Sequence, residues 1–159
     1  MKIVTVTDKK DEKFLRTPTK LFDFATYSKK EIRELIKTMR QSMQEAEGIG
    51  LSANQIGIDR KVFVAKVENK FYAVFNPELV QLSKEMLNLD EGCLSVPGVY
   101  GAVERPARVV LKGFDQSGKT LKIKAWGLLA RVFQHEVDHL NGKLFIDKAK
   151  MVERVPVVK

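Results

Sequence analysis

The feature that constrains this sequence most is the segment QHEVDH at residues 134–139, which contains both of the chain's histidines. Side chains four positions apart lie on one face of an α-helix, so His135 and His139 can direct ring nitrogens at a single point. Glu136 follows the first histidine and can reach a water molecule bound to the same metal ion. The alternative, two surface histidines that are close by chance, leaves this glutamate unexplained. The segment therefore predicts a helix that carries two metal ligands and an adjacent carboxylate.

Two histidines leave such a centre incomplete, because hydrolytic metal sites use three protein ligands and keep one position for water or substrate. Downstream of His139 there is no further histidine, and the one glutamate, Glu153, lies in a segment without helical periodicity. Upstream lies the chain's single cysteine, Cys93. A lone cysteine is usually a small buried hydrophobic residue. Beside an incomplete pair of histidines, however, we expect Cys93 to be the third ligand.

Helix signals occur at two places in the chain. Residues 1–27 resemble an irregular arm, after which Ser28 and Glu31 form a capping box at the start of a long amphipathic N-terminal helix over 29–47. A second helix, which carries the histidines, is expected over 128–141 and is ended by glycine.

Strand signals occupy the middle of the chain. One hairpin is expected from strands 62–67 and 71–75, and another from strands 109–114 and 121–126. The Gly- and Pro-rich passage 91–106 does not fit one regular element. The expected fold class is α+β, with antiparallel β-strands packed around a central metal-binding α-helix.

Composition sets the wider limits. With 159 residues, of which 44% are hydrophobic, the chain is expected to form a single domain over 1–159, with a short irregular tail from about residue 150. It has no apolar run long enough to cross a membrane and no signal-peptide core near its start, so we expect a cytoplasmic protein. One cysteine excludes an internal disulfide framework.

The chain is basic, with a formal net charge of +8 that is spread along its length. This charge is compatible with weak attraction to RNA or ribosomes, and equally with a solvated basic surface. No motif for specific nucleic-acid recognition is visible.

Three short motifs together resemble the peptide deformylases: GIGLSANQ at 48–55, EGCLS at 91–95 and QHEVDH at 134–139. The order and spacing of the motifs and the arm before the first helix also resemble that family, and the likeness covers residues 14–148. It implies a hydrolase that removes the formyl group from the N-terminal formyl-methionine of nascent polypeptides. It also implies that Cys93, His135 and His139 hold one Fe²⁺ ion, although Zn²⁺, Ni²⁺ or Co²⁺ suits the same ligands.

The resemblance also assigns catalytic roles. Glu136 would take a proton from metal-bound water and pass it to the departing amine. The side-chain amide of Gln55 and the backbone N–H of Leu94 would donate hydrogen bonds to the formyl oxygen as it gains negative charge.

An extended substrate is expected to pair its main chain with residues 48–50 and 98–100. Leu128 and Val132 would line a slot for the methionine side chain, and Glu91 and Gln134 would orient the metal ligands. Asp138 is either exposed or the partner of a basic group. The residues assigned to substrate binding are Gly48, Ile49, Gly50, Glu91, Gly98, Val99, Tyr100, Leu128, Arg131 and Val132.

Two departures from the family pattern stand out. Arg131 lies where many relatives have an apolar residue, and it is expected either to extend along the pocket rim or to alter the preference for the second substrate residue. The tail is shorter than in relatives that end in an extra helix, which contributes to ribosome docking in some of them, so docking by that route is not expected. We expect a monomer.

Two other functions compete with this reading. A general HExxH metalloprotease would cleave unformylated peptides, but it needs a downstream ligand that the chain does not offer. A basic RNA-binding module with a structural metal would need a closed site of four ligands, and no fourth cysteine or histidine is present.

Overall fold

The computed structural model describes residues 1–156, which form three α-helices and eight β-strands. The helices are α1 (Lys9–Leu15), α2 (Lys29–Glu45) and α3 (Gly127–Leu140). The strands are β1 (Gly50–Ser52), β2 (Val62–Val67), β3 (Lys70–Leu82), β4 (Met86–Cys93), β5 (Val96–Pro106), β6 (Arg108–Phe114), β7 (Thr120–Trp126) and β8 (Val152–Arg154). No helix in this part of the chain is long and apolar enough to span a bilayer.

The strands form two antiparallel sheets, one in the order β1-β2-β3-β6-β7 and the other in the order β4-β5-β8. The larger sheet has a hydrophobic core on each face. On one face, Phe63 and Leu111 share a buried cluster with Phe133 and Leu140 of α3. On the other face, Val64 and Phe75 join a cluster that includes buried residues of α2. The α+β fold class and the central position of the histidine-bearing helix are therefore confirmed.

Both hairpins predicted from sequence are present. The turn between β2 and β3 places Glu68 and Asn69 at φ 51° and 63°, the left-handed pair that a tight two-residue hairpin requires. The turn between β6 and β7 has Gly118 at φ 77°. The capping box is also present, since Ser28 Oγ accepts from the Glu31 N–H and Glu31 Oε2 accepts from the Ser28 N–H.

Three sequence-based predictions need correction: those for the N-terminal arm, the end of α2 and the tail. The N-terminal arm contains α1, which Asp8 caps by accepting hydrogen bonds from the N–H groups of Lys10 and Asp11. Helix α2 ends at Glu45, before the glycine expected to stop it. The passage 91–106 is not one regular element, as expected, since it contains the end of β4, a turn and all of β5. The tail expected to be irregular contains β8, which pairs with β5, while residues 157–159 lie outside the described part.

Candidate metal centre

The three expected ligands converge where α3 faces the end of β4. One helical turn separates His135 from His139, and Cys93 is the last residue of β4. The Cys93 Sγ atom lies 3.0 Å from His139 Nε2, which in turn lies 3.2 Å from His135 Nε2. All three donor atoms lie within 4.8 Å of one another.

This donor set fits a single divalent ion. Metal–sulfur bonds of about 2.3 Å and metal–nitrogen bonds of about 2.0–2.1 Å in tetrahedral geometry separate the donors by about 3.3–3.6 Å. The observed separations of 3.0 and 3.2 Å are slightly shorter. A thiolate with two imidazoles suits Fe²⁺, Zn²⁺, Ni²⁺ and Co²⁺ alike, so the ligands indicate a metal site without choosing the metal.

The charges of the ligands also favour a cation. Burial raises the pKa of the Cys93 thiol, but His139 and His135 lower that pKa by more, so the thiolate is favoured. Burial lowers the pKa of His135, yet Cys93 and Glu91 raise it well above its usual range. The cluster therefore attracts positive charge, which a divalent ion supplies.

A buried carboxylate orients His135. Burial raises the pKa of Glu91, but hydrogen bonds from Arg105 and His135 lower it to about 2, so Glu91 is ionised at neutral pH. Its Oε1 therefore accepts from His135 Nδ1 at 2.9 Å. With Nδ1 protonated, Nε2 of the same ring is left free to face the metal.

Glu91 belongs to a buried ionic network that joins α3 to the β4–β5 hairpin. Arg105 Nε donates to Glu91 Oε2 at 2.6 Å, and Arg105 Nη1 donates to Asp138 Oδ2 at 2.9 Å. Lys148 Nζ lies 2.9 Å from the same Asp138 oxygen. Asp138 was expected to be either exposed or the partner of a basic group, and the structure shows that it is the partner of two basic groups.

Two other polar residues of α3 differ from expectation. The prediction that Arg131 extends along the rim is wrong, because the residue is only 7% exposed and its Nη1 donates to Glu91 Oε2. Gln134 was expected to orient a ligand, but its Nε2 donates to the backbone carbonyls of Pro106 and Ala130. Gln134 therefore ties α3 to the end of β5.

Glu136 is buried beside the ligands. Burial raises the pKa of its carboxyl group. Its Oε2 is one of two buried side-chain atoms within residues 1–156 that have no hydrogen-bond partner, the other being His139 Nδ1. A Cβ at Gly50 would lie only 2.6 Å from Glu136 Oε1, so glycine at this position makes room for the carboxylate.

Gln55 is held beside Cys93 by its neighbours in the chain. Its Oε1 accepts from the backbone N–H and the hydroxyl of Ser52. Its Nε2 therefore points the other way, 3.1 Å from Ser95 Oγ and 3.6 Å from Cys93 Sγ. The arrangement presents an amide N–H donor to the metal centre.

Asn54 belongs to the first motif, but no role was predicted for it from the sequence. In the structure it is fully buried, and its Nδ2 donates to the backbone carbonyl of His139 at 2.8 Å. Asn54 therefore fixes the segment of α3 that carries the second histidine. Its position directly before Gln55 in the motif was the one sequence feature that could have indicated this role.

A cavity of about 490 Å³ opens over the metal centre. Its wall includes Gln55, Leu94 and Glu136 together with the ligands Cys93 and His135. All ten residues assigned to substrate binding also line it: Gly48, Ile49, Gly50, Glu91, Gly98, Val99, Tyr100, Leu128, Arg131 and Val132. Three distant chain segments thus meet around one space, whose size suits a small peptide.

Two edge strands border this cavity. β1 is the terminal strand of one sheet and β4 is the terminal strand of the other, so each has one edge that no strand of its own sheet covers. Tyr100 of β5, in contrast, is paired with Gly92 on one side and with Glu153 of β8 on the other. Main-chain pairing of a peptide is therefore better served by β1 and β4 than by the predicted segment 98–100.

A family model described as polypeptide deformylase matches residues 1–155. The chain belongs to the polypeptide deformylase family. A peptide deformylase of Natranaerobius thermophilus is 47% identical over 124 residues, which cover 77% of this chain and 80% of that protein. A peptide deformylase of Carboxydothermus hydrogenoformans is 45% identical over 123 residues, again 77% and 80% of the two chains.

Solved deformylase structures share the fold. A crystal structure of a peptide deformylase from Synechococcus elongatus in complex with actinonin has a TM-score of 0.86 and 38% identity, covering 95% of this chain and 79% of that one. The crystal structure of the peptide deformylase from Thermotoga maritima has a TM-score of 0.85 and 34% identity, covering 94% of this chain and 97% of that one. Like the rest of the deformylase family, this chain is a metal-dependent hydrolase that acts on amides.

Proposed function

We propose that this deformylase removes the formyl group from the N-terminal formyl-methionine of nascent polypeptides, releasing formate and a free amine. The observation that carries the proposal is the meeting of Cys93, His135, Glu136 and Gln55 at one cavity, with His139 completing the cluster of ligands. A related structure supports the substrate class, since the peptide deformylase of Acinetobacter baumannii, 29% identical, was solved with Met-Ala-Ser bound.

Cys93, His135 and His139 hold the metal ion in this account. When bound, the ion acts as a Lewis acid that lowers the pKa of water and polarises the formyl oxygen. Glu136 removes a proton from the attacking water, because its carboxylate lies beside the ligands and its Oε2 has no competing partner in residues 1–156. As the C–N bond breaks, Glu136 returns this proton to the amine nitrogen.

Two donors stabilise the negative charge that forms on the formyl oxygen. Gln55 Nε2 is fixed beside Cys93, because its carbonyl end is held by Ser52. Leu94 follows Cys93 directly and lines the cavity, so its backbone N–H is the second donor in this proposal. Donors that are already in place need no reorganisation during the reaction.

The peptide binds as an extended strand between the edges of β1 and β4. Main-chain pairing accepts many sequences, as an enzyme for most nascent chains requires. Val132 and Leu128 line the cavity on α3 and give the methionine side chain an apolar surface. Val132 is 6% exposed and lies deep, whereas Leu128 is 52% exposed and lies at the mouth.

The test compares three tripeptides with the iron-loaded enzyme under anaerobic conditions: formyl-Met-Ala-Ser, acetyl-Met-Ala-Ser and Met-Ala-Ser. We expect formate and free Met-Ala-Ser from the first, and little turnover of the acetyl peptide, whose extra methyl group must fit beside the metal. Cleavage of a peptide bond in unformylated Met-Ala-Ser would instead favour a general metalloprotease. No hydrolysis with any suitable metal would favour a structural metal site.

Several further properties belong to this proposal as predictions. Fe²⁺ is the expected physiological metal, with Zn²⁺, Ni²⁺ and Co²⁺ able to take its place. The single-domain organisation, the monomeric state, the cytoplasmic location and a weak ribosome association likewise remain predictions.

A further inference from the structure

Arg131 makes an unusual set of contacts for a residue that lines the substrate cavity. Its side chain is almost fully buried. Its Nη1 donates to Glu91 Oε2 at 2.5 Å and to the backbone carbonyl of Val103 at 2.9 Å. Its Nη2 donates to the backbone carbonyl of Leu87 at 2.8 Å. One guanidinium group thus serves a carboxylate on β4 and the main chains of both β4 and β5.

The elements joined by these contacts are those that supply the metal ligands. Arg131 lies on α3, one turn before His135. Leu87 and Glu91 both lie on β4, which ends at Cys93. The contacts of Arg131 therefore bridge the helix that carries two ligands and the strand that carries the third. The same strand presents the edge proposed to receive the peptide.

Arg105 cannot replace this connection. It also binds Glu91, but its remaining side-chain hydrogen bond goes to Asp138 on α3 rather than to a backbone carbonyl of β4. Arg131 is the residue that reaches the β4 main chain at Leu87. A lysine could not do the same, because its compact ammonium group lacks the planar fork that serves several fixed acceptors.

We propose that Arg131 is a positioning residue of the metal centre: it fixes the Glu91 carboxylate that orients His135 and holds β4, with Cys93, at its distance from α3. Arg131 lines the cavity, and its guanidinium nitrogens bind Glu91 and the main chains of the two strands. The inference rests on the ligand set of the proposed function. Its main readout, the rate of metal loss, does not depend on which substrate is hydrolysed.

The experiment compares Zn²⁺-loaded parent, Arg131→Met and Arg131→Lys, with Arg108→Met as the matched control because Arg108 is exposed on β6. Zinc transfer to a chromogenic chelator gives the dissociation rate. We expect Arg131→Met to release zinc about 10–100-fold faster than the parent, the range typical when a group that orients a metal ligand is lost. Arg131→Lys should lie between them, and Arg108→Met should match the parent.

Two further measurements separate positioning from general stability. Thermal unfolding of the metal-free proteins reports any loss of fold stability. Steady-state kinetics on formyl-Met-Ala-Ser, with the metal held saturating, should show a raised KM in Arg131→Met, because the strand edge that binds the peptide has moved.

Zinc release at the parental rate in Arg131→Met would overturn the inference, even if its melting temperature fell, because Arg131 would then only stabilise the fold. If Arg131→Met does not fold, Arg131→Lys decides. Faster release in that variant supports positioning by the guanidinium fork, and release at the parental rate would overturn the inference.

Discussion

The two ends of the Gln55 amide have different roles: the oxygen holds the side chain in place, and the nitrogen is available to the substrate. Its carbonyl oxygen is held by Ser52, three residues earlier, so the amide nitrogen is directed toward Cys93 without help from distant segments. Glu136 is likewise placed by its neighbours in the helix. The helical spacing of His135, Glu136 and His139 could be derived from the sequence itself, whereas the role of Gln55 came from the family resemblance.

The isosteric substitution Gln55→Glu tests the donor role. The new carboxylate can still accept from Ser52, but it presents an oxygen instead of an N–H group to the formyl oxygen. We expect kcat to fall about 10²–10³-fold, the usual cost of losing one such donor. Steady-state kinetics on formyl-Met-Ala-Ser would check this, and a kcat within a few-fold of the parent would contradict the assignment.

The partners of Arg131 and Asp138 illustrate the limit of local reasoning. Both side chains were correctly placed on the histidine-bearing helix, but Arg131 binds Glu91 and Asp138 binds Arg105, each more than 25 positions away in sequence. Only Lys148, the other partner of Asp138, is nearer in the chain. No periodicity or spacing connects these positions. Only the pairing of β4 with β5, which the sequence did not predict, brings them to α3.

Among the secondary-structure elements, those with a clear hydrophobic period or with defined turn residues were predicted correctly from the sequence. Helix α2 and the β2–β3 and β6–β7 hairpins have an amphipathic period or defined turn residues, and all three were predicted. Helix α1 was missed because its seven residues, KKDEKFL, form less than two full turns of a polar helix. β4 was missed because both of its faces are largely exposed, which removes the alternation that marks a strand.

The connection between α3 and the β4–β5 hairpin depends on the charge of Glu91, so stability should depend on pH. The pKa of Glu91 is lowered from 4.5 to about 2 in the folded protein, and its contribution is therefore complete above pH 4.5 and lost as the pH falls toward about 2. Denaturant unfolding of metal-free parent and Glu91→Gln should show free energies of unfolding that converge over this interval. A difference that stays constant across it would contradict the account.

At the scale of the whole molecule, three exposed lysines lie together on one face of β6 and β7. Helix α2 covers only part of its face of the larger sheet, and the uncovered part of β6 and β7 presents the exposed lysines Lys112, Lys122 and Lys124 beside Trp126, which is 71% exposed. In the pairing of β6 with β7, Lys112 lies opposite Lys122, and Val110 lies opposite Lys124. This surface, which we call the lysine face, is one candidate for the predicted weak association with ribosomes, although the exposed Glu78 of β3 lies opposite Lys112.

Neutralising the lysine face with Lys112→Gln, Lys122→Gln and Lys124→Gln should weaken that association. Loss of three phosphate contacts lowers the slope of log affinity against log salt concentration by about 2–3. Co-sedimentation with ribosomes over a salt series measures this slope. The control is Lys29→Gln, Lys30→Gln and Lys37→Gln on α2, which removes the same charge from exposed positions elsewhere. Equal slopes for the two triple variants would contradict a role for the lysine face.

The role of Glu136 is tested by formate release from formyl-Met-Ala-Ser by the iron-loaded parent and by Glu136→Gln, with the bound metal measured in both. We expect rapid release by the parent and a kcat about 10²–10⁴-fold lower in the variant, which should retain its metal. Comparable release by the variant would show that Glu136 is not the proton acceptor. Absence of release by the parent with iron, nickel or cobalt bound would contradict the proposed function itself.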